Sequence, residues 1–589
     1  MTDSQAPESR VAAAIPKLPR SGVWSWLPGL WTLRHYQQRW LARDVVAGLV
    51  LTALLVPAGM GYAEAAGLPA VTGIYATILP LLAYAVVGPS RILVYGPDSS
   101  LAALIAVAVV GRAGDDPARA IALASVLAIL TGALCIVAGI ARAGFVADLL
   151  SKPVRVGYMN GIALTVIVTQ LPKLFGFKVS ATSVPSGALH FVQGVIERRT
   201  NGIALAIGAT SLALIVLGRM VWKRIPWVLV AVAGATLVVG AFALESQLDV
   251  VGDVPRGLPL PSVPSITSAD IGPLAMAAFG IAVVSFADTS VLSRSVAGRL
   301  GERVDANREL FALGVANLAA GFFQGFPISS SSSRTPVAES AGSRTQLTGV
   351  VAAIALVVVL LFAPSLLSHL PTAALAAVVI GAAVRIFDFE AVRVFFRVRR
   401  SDFVLSLVAF LAVAVLGVIP GIAGAVGLSL LDVVRRAWRP HHAVLGRADG
   451  VKGYHDVTRF DSARQVPGLL LFRWDAPLFF ANADLFRHRI LELVESATVP
   501  VLWVVVAAEP ITDVDTTAAE MLEELDKELA QLGAELAFAE MKDPVKDRLE
   551  RYGLQARIGR DFFFPTLGSA VRRYREGHPG DFRDWEEEG

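Results

Sequence analysis

The sequence predicts an all-α polytopic membrane domain of fourteen spans, arranged as a seven-plus-seven inverted repeat with two half-length helices. A small α/β domain follows it. Three observations carry this reading. Apolar windows of about twenty residues, each long enough to cross a bilayer, follow one another from residue 44 to residue 436. Two short, proline-interrupted polar segments, Gly96-Pro97-Asp98-Ser99-Ser100 and Phe326-Pro327-Ile328 leading into five serines and Arg334, recur about 228 residues apart, the offset that also separates the first span from the first span after a long loop. Beyond Arg439 the chain becomes charged, and short apolar runs alternate with amphipathic stretches.

Composition agrees. Of 589 residues, 54% are hydrophobic and only 17% charged, whereas a soluble chain carries about 25% charged residues. Mean hydropathy is +0.60. The net charge of +3 says little; in a membrane protein the placement of charge matters more than its sum. No nucleic-acid partner is expected. The single cysteine, Cys135, lies inside an apolar span and reads as a small buried hydrophobe, which excludes a disulfide framework and a cysteine metal cluster.

Residues 1–43 read as a cytoplasmic leader. They carry Arg10, Lys17, Arg20, Arg34 and Arg39 and no apolar core, so no cleavable signal peptide is expected. Trp24, Trp26, Trp31 and Trp40 interleave with arginines and suit an interfacial helix among lipid headgroups. The transport domain, 44–440, opens with spans at 44–63 and 69–87. A strand-like run at 92–95 precedes the first half-helix, expected to start near Pro97, whose missing N–H costs nothing in a first turn. Spans follow near 119–140, 153–175, 202–220 and 226–244, then a proline-rich loop at 251–273. The second half has spans near 273–292 and 306–325, the serine run opening the second half-helix, and spans near 346–363, 370–386, 402–418 and 420–436. Seven spans per half is an odd number, so the second half is inserted upside down and the half-helix N-termini face each other. Each would present roughly +0.5 charge and unpaired N–H groups to an anion.

Charge placement sets the orientation. Arg142, Lys152, Arg155, Arg219, Lys223, Arg224, Arg294, Arg299, Arg303, Arg308, Arg393, Arg397, Arg399, Arg400, Arg435, Arg436 and Arg439 fall in loops on one side, which the positive-inside rule makes cytoplasmic. Lys173, Lys178, Arg198 and Arg199 on the other side are imperfections. A multi-pass protein of the plasma (inner) membrane with both termini in the cytoplasm is expected. Glu64, at the end of the first span, reads as a solvated acid.

The soluble domain, 444–576, shows strands near 468–474, 500–506 and 533–539 and helices near 483–496, 516–532 and 544–552. The acidic tail, 577–589, reads as disordered.

Several motifs converge on one family. Val56-Pro57-Ala58-Gly59-Met60-Gly61-Tyr62-Ala63 with Ala66-Gly67-Leu68-Pro69 resembles the first-span signature of the sulfate permease (SulP) family. Asp253-Val254-Pro255-Arg256-Gly257-Leu258-Pro259 resembles its outer-loop motif, and Asn307-Arg308-Glu309-Leu310, Gly314-Val315-Ala316-Asn317 and Ser333-Arg334-Thr335 its core stretch. Asp475-Ala476-Pro477-Leu478-Phe479-Phe480-Ala481-Asn482 and Phe564-Pro565-Thr566 resemble the family's C-terminal STAS domain. The resemblance covers roughly residues 40–570 in the right order. It implies a core domain moving against a gate domain, homodimerisation and secondary anion transport without a cofactor. It also implies an anion site built from Ala58 and Tyr62 of the first span, Asp98, Ser99 and Ser100 of one half-helix, and Ser331, Ser332, Ser333 and Arg334 of the other.

Two positions depart from the family pattern. Ala58 stands where glutamine is frequent, removing one hydrogen-bonding group. Asp98 is a carboxylate where many relatives are uncharged; it either caps its helix or binds a proton or cation. Asp288 resembles a family position usually held by an acid. An intramembrane carboxylate is a functional candidate by default, and Asp288 is expected to couple H⁺, or Na⁺, to transport. Arg334 is expected to bind an oxyanion, the alternative being neutralisation of Asp288 or Glu339. Asp513-Val514-Asp515-Thr516-Thr517 resembles the phosphorylatable segment of anti-sigma-factor antagonists, with Thr517 the nearest match to the regulated residue and helix capping the alternative. No nucleophile–base pair, phosphate loop or metal-ligand spacing is found, and His441-His442 is too sparse for a metal site, so an enzyme is not expected. The leading expectation is proton-coupled sulfate uptake. Na⁺-coupled bicarbonate or H⁺-coupled dicarboxylate transport, or a STAS-based membrane regulator, are the alternatives.

Overall fold

The computed structural model describes residues 22, 24, 26–114, 116–145, 151–179, 184–222, 225–252 and 254–578. The leader cations Arg10, Lys17 and Arg20, the loop cations Lys223 and Arg224, Asp253 of the outer-loop motif and residues 579–589 of the acidic tail lie outside them. The chain divides into two compact units between Leu430 and Leu431.

In the first unit a short helix, Pro28–Arg34, precedes α1 (Leu41–Ala65), α2 (Val71–Val87), α3 (Ser99–Ala113), α4 (Pro117–Ile140), α5 (Lys152–Leu174), α6 (Val184–Ile196), α7 (Gly202–Ala213, prolonged by a π turn Leu214–Gly218) and α8 (Trp227–Ala241). The second half runs α9 (Ser268–Leu300), α10 (Ala306–Phe322), α11 (Thr335–Ser340), α12 (Leu347–Phe362), α13 (Thr372–Val384), α14 (Phe389–Val398), α15 (Arg400–Leu416) and α16 (Val418–Trp438), the last running across the boundary into the second unit. Each half holds one helix that sequence patterning passed over, α6 and α14. Both are amphipathic and, at 13 and 10 residues, too short to cross a bilayer. Both fall between the fifth and sixth spans of their half, so they belong to the repeat.

Packing displays the repeat directly. α1 packs on α12 as α9 packs on α4; α10 packs on α4 as α2 packs on α12; α5 packs on α15 as α13 packs on α7. Exchanging the halves maps each contact onto another, as a pseudo-two-fold axis requires. The contacts also sort the helices into two groups. One comprises α1–α4 and α9–α12; the other is built on α5, α7, α8, α13 and α15. The groups meet along α1 with α13 and α3 with α5.

Buried polar groups fasten this bundle at named points. The Asp44 carboxylate accepts from the Arg344 N–H at 2.7 Å, the Thr345 N–H at 3.1 Å and the hydroxyls of Thr345, Thr348 and Tyr36 at 2.8–3.0 Å. It thus caps the chain entering α12 from a helix 300 residues away in sequence. Glu64 is not a free solvated acid: Lys173 reaches both its carboxylate, at 3.4 Å, and its backbone carbonyl. That pairing also accounts for one of the cations on the wrong side of the charge rule.

The second unit is a six-stranded sheet in the order β4-β3-β5-β6-β7-β8. It comprises β3 (His442–Arg447), β4 (Tyr454–Asp456), β5 (Leu469–Trp474), β6 (Trp503–Ala507), β7 (Glu535–Ala539) and β8 (Phe563–Phe564). β5 to β8 run parallel and β3 and β4 antiparallel. Helices α17 (Ala483–Glu495), α18 (Thr516–Gln531), α19 (Asp543–Arg551) and α20 (Leu567–Gly577) cover it. Separate apolar cores lie around Phe472, Phe486 and Leu522 on one side and around Leu471, Val505 and Tyr574 on the other. β3 begins before the expected domain start at Val444.

Candidate functional site

The two proline-interrupted segments meet as a two-strand crossing. β1 (Tyr95–Gly96) pairs antiparallel with β2 (Ser329–Ser330), placing Tyr95 opposite Ser330 and Gly96 opposite Ser329. The Ser331 N–H donates to the Val94 carbonyl at 2.9 Å, and the Thr335 hydroxyl accepts from the Val94 N–H at 3.1 Å. Pairing satisfies backbone groups that, at membrane depth, have no water to bond. Gly96 adopts φ +152°, and a Cβ there would approach the Arg334 guanidinium to 3.4 Å.

Side chains from neighbouring helices hold the crossing. Asn317 on α10 brackets Ile328, accepting from its N–H at 2.9 Å and donating to its carbonyl at 3.1 Å. Glu309, fully buried, accepts from Tyr84 at 2.6 Å, Tyr95 at 2.9 Å and Ser90 at 3.2 Å. Gln346 donates to the carbonyls of Ser90 and Leu93, each at 2.9 Å. The Asn-Arg-Glu-Leu and Gly-Val-Ala-Asn motifs thus serve as the frame of the crossing.

The half-helices differ from the expected pair of equals. The first begins at Ser99 rather than Pro97, and Asp98 is its N-cap, accepting from the Ser100 N–H at 3.0 Å. The serine run does not open the second half-helix. Ser329 and Ser330 form the strand, Ser331, Ser332 and Ser333 carry the turn, and α11 begins only at Thr335 and lasts six residues. Arg334 sits at the N-cap. One turn and a half aligns few peptide dipoles, and the Asp98 carboxylate offsets the positive end of α3. Positive potential here therefore comes mainly from side chains.

Arg334 is the most distinctive of them. It is buried, and one guanidinium nitrogen donates to the Pro97 carbonyl across the crossing. Its Nε and Nη1 are buried without a hydrogen-bond partner. It pairs with neither acid proposed for it: Glu339 binds Arg299 at 2.8 Å, and the Asp288 carboxyl lies 3.2 Å from the Ser100 hydroxyl.

A cavity of about 390 Å³ opens beside the crossing. Of the sequence-derived candidates, Asp98, Ser99, Asp288, Ser332 and Ser333 line it. Ala58, Tyr62, Ser100, Ser331 and Arg334 lie buried behind that lining. Arg155, from the first turn of α5, and Arg385 and Asp388, beyond α13, line the cavity from the second helix group, and Ser330 lines it from β2. Sequence reasoning counted Arg155 as a loop cation; its place two residues after Pro153, a residue that suits a helix's first turn, was the available signal. A larger crevice, about 1280 Å³ between α1, α8 and α12, is walled by aliphatic side chains and offers an oxyanion little.

In the second unit, Asp515 takes the capping role on α18, accepting from the Ala518 N–H at 2.8 Å and from the Phe480 N–H at 2.8 Å. Thr517 in the first turn is left exposed.

An inverted repeat with crossed half-helices and a cavity at their meeting point is the architecture of a membrane transporter rather than an enzyme. The chain belongs to the sulfate permease family, which matches it over residues 41–409, and a STAS domain matches residues 462–570. A protein of Mycobacterium tuberculosis named probable sulfate transporter is 42% identical over 95% of this chain and 100% of its own length. Human solute carrier family 26 member 6 is 32% identical over 82% of this chain and 66% of its own. The structure of murine solute carrier 26 family member A9, an anion transporter in the inward-facing state, superimposes with a TM-score of 0.87 at 23% identity, covering 96% of this chain and 98% of that one. That likeness shows the fold.

Proposed function

We propose that this protein is a secondary active transporter whose first substrate is sulfate and whose coupling ion is the proton. The observation that carries the reading is Arg334: a buried guanidinium with two unpaired nitrogens behind a serine-lined cavity. Leaving two guanidinium nitrogens buried without acceptors costs free energy, and a bound oxyanion would supply those acceptors. Its flat fork suits two oxygens of sulfate. Serine hydroxyls and the N–H groups of the crossing supply neutral donors, as a site that must also release its cargo requires. The name of the relative at 42% identity supports sulfate over other oxyanions.

Asp288 is the coupling residue in this reading. It lines the cavity where the anion binds, so its charge state alters the potential the anion meets. Alternating access would come from the group α1–α4 and α9–α12, which bears the crossing, moving against the group bearing Arg155 and Arg385. The orientation we adopt has both termini in the cytoplasm of the plasma membrane and the protein as a homodimer among lipid. Exposed Thr517 is retained as a candidate phosphorylation site that would regulate the STAS domain.

The test is uptake of radiolabelled sulfate into proteoliposomes with and without an inward proton gradient, competed by bicarbonate, fumarate, nitrate and chloride. Gradient-stimulated uptake, displaced poorly by the other anions, is expected. Uptake indifferent to the gradient, or stimulated only by Na⁺, would overturn proton coupling. Absence of uptake of every anion would favour a membrane regulator signalling through its STAS domain.

A further inference from the structure

Asp98 is the residue that sulfate binding alone does not explain. It stands on the cavity wall in a site meant for anions, within electrostatic reach of a second acid, Asp288. The two are joined by one hydroxyl. Ser100 Oγ lies 3.0 Å from Asp98 Oδ1 and 3.2 Å from Asp288 Oδ2. A hydroxyl has one hydrogen to give. If both carboxyls were ionised, one of these contacts would set two lone pairs against each other. Both contacts are hydrogen bonds only when one carboxyl brings a proton of its own.

The geometry assigns that proton. Asp98 Oδ1 already accepts the backbone N–H of Ser100 at 3.0 Å, an N-cap bond that favours negative charge on Asp98 over Asp288. Ser100 therefore donates to Asp98, and the Asp288 carboxyl donates to Ser100. A concerted shift moves the Asp288 proton to Ser100 Oγ as the Ser100 hydrogen passes to Asp98. One O–H bond breaks at each donor, one forms at each acceptor, and the pair still holds one proton.

A second feature marks the place as a binding site rather than a local turn. Ser330, 4% exposed, lines the same cavity, and its hydroxyl has no partner. Other charged and titratable groups face the pair from every side. Tyr62 comes from α1, Arg155 and Tyr158 from α5, Arg334 from the turn before α11, and Arg385 and Asp388 from beyond α13. The one charged residue of α4, Arg119, faces Asp270 at 3.5 Å.

We propose that Asp98 and Asp288 act as one unit, sharing a proton through Ser100, and that Asp98 is the positioning residue that sets the pH at which the site admits an anion. This rests on Asp288 being the coupling residue. An ionised Asp98 beside Asp288 makes proton loss from Asp288 harder, as one carboxylate does to its neighbour. The pair then titrates as a unit. Fully deprotonated, it sets two negative charges at the cavity wall and repels the anion; holding its proton, it leaves one, opposed by Arg334.

The experiment measures the pH at half-maximal sulfate uptake in proteoliposomes for wild type, Asp98→Asn, Ser100→Ala and Asp288→Asn. Folding is monitored by size-exclusion chromatography. Asparagine is a good N-cap, so α3 keeps its start in the first variant. The midpoint is expected to move to lower pH by about one unit in Asp98→Asn, a tenfold loss of proton affinity at Asp288. A smaller shift is expected in Ser100→Ala, which keeps both acids and loses the bridge. Infrared difference spectra on the same proteins should show the protonated-carboxyl band of Asp288 displaced in both variants and absent in Asp288→Asn. An unmoved midpoint and an unmoved band in Asp98→Asn, with pH dependence lost in Asp288→Asn, would overturn the shared proton and leave Asp288 as a lone coupling acid. Intact pH dependence in Asp288→Asn would overturn the coupling reading and the pair with it. Should Asp98→Asn fail to fold, Ser100→Ala decides by the same two readouts.

Discussion

Replacing Arg334 tests the anion site most directly. The guanidinium offers two unpaired buried nitrogens, Nε and Nη1. A hydrogen bond to a charged group contributes about 1.5–3 kcal/mol, so two to one oxyanion amount to about 3–6 kcal/mol. Arg334→Ala should therefore lower kcat/KM for sulfate by roughly 10² to 10⁴-fold. Arg334→Lys keeps the charge but loses the fork, and forfeiting one bond corresponds to a loss of roughly 10- to 150-fold. Both variants also lose or weaken the bond to the Pro97 carbonyl, so thermal stability must be followed beside transport. The assay is initial-rate uptake over a sulfate series, normalised to folded protein. A properly folded Arg334→Ala variant with sulfate KM within about threefold of wild type would refute the argument, because losing two charged donors to a buried anion costs more than that.

Other predictions follow from the frame. Glu309→Ala leaves the hydroxyls of Tyr84, Tyr95 and Ser90 buried without their acceptor; at about 1–3 kcal/mol each the loss should appear as a markedly lower melting temperature in detergent, with Glu309→Gln milder. In the STAS domain, Arg487 bonds Glu528 at 2.9 Å and holds its carboxyl below the usual glutamate range. A depressed value gives stability that is present above the unfolded pKa, about 4.3, and lost as pH falls through the folded value. The pair is about one-third exposed, so a double-mutant cycle on the separately expressed domain should give at most about 1 kcal/mol at pH 7, vanishing in acid. Coupling that persists below pH 3 would show that packing rather than charge is responsible.

Much of the architecture was legible because hydrophobic length is a strong signal. The fourteen spans, the equal offset of the two polar segments and the alternating strands and helices of the second unit are all local patterns. What escaped was short or depended on tertiary partners. α6 and α14 are amphipathic and fall below spanning length. β3 and β8 are edge or near-edge strands whose identity comes from pairing with β5 and β7. Five consecutive serines looked like a helix start because serine is a good cap; instead two of them pair with β1, which only the crossing makes available. The candidate residues of the site came from polar groups that are conspicuous in an apolar sequence and, for Ala58 and Tyr62, from the family resemblance alone. Their division into cavity wall and buried support was not, because that depends on which way each side chain leaves the crossing. The hydroxyl bridge from Asp98 to Asp288 runs through Ser100, 188 residues from Asp288, and has no sequence signature at all.

Charge balance explains why an anion carrier would keep two acids beside its arginine, and it makes a last prediction. An empty site holding Arg334 alone carries one positive charge through the membrane on its return, at a cost that buried ions always incur. With Asp98 and Asp288 sharing one proton, the empty site is neutral and the return is inexpensive. The pair has room for one further proton. A cycle in which it fills as sulfate binds moves one net negative charge instead of two. Each charge is worth about 2.3 kcal/mol per 100 mV, or roughly 50-fold in accumulation. An inside-negative potential of 100 mV should therefore depress equilibrium sulfate accumulation about 50-fold in wild-type proteoliposomes. In Asp98→Asn/Asp288→Asn, with no proton to carry, the depression should be about 2,500-fold. Equal sensitivity to the imposed potential in both proteins would show that no proton travels on these carboxyls, whatever their hydrogen bonds.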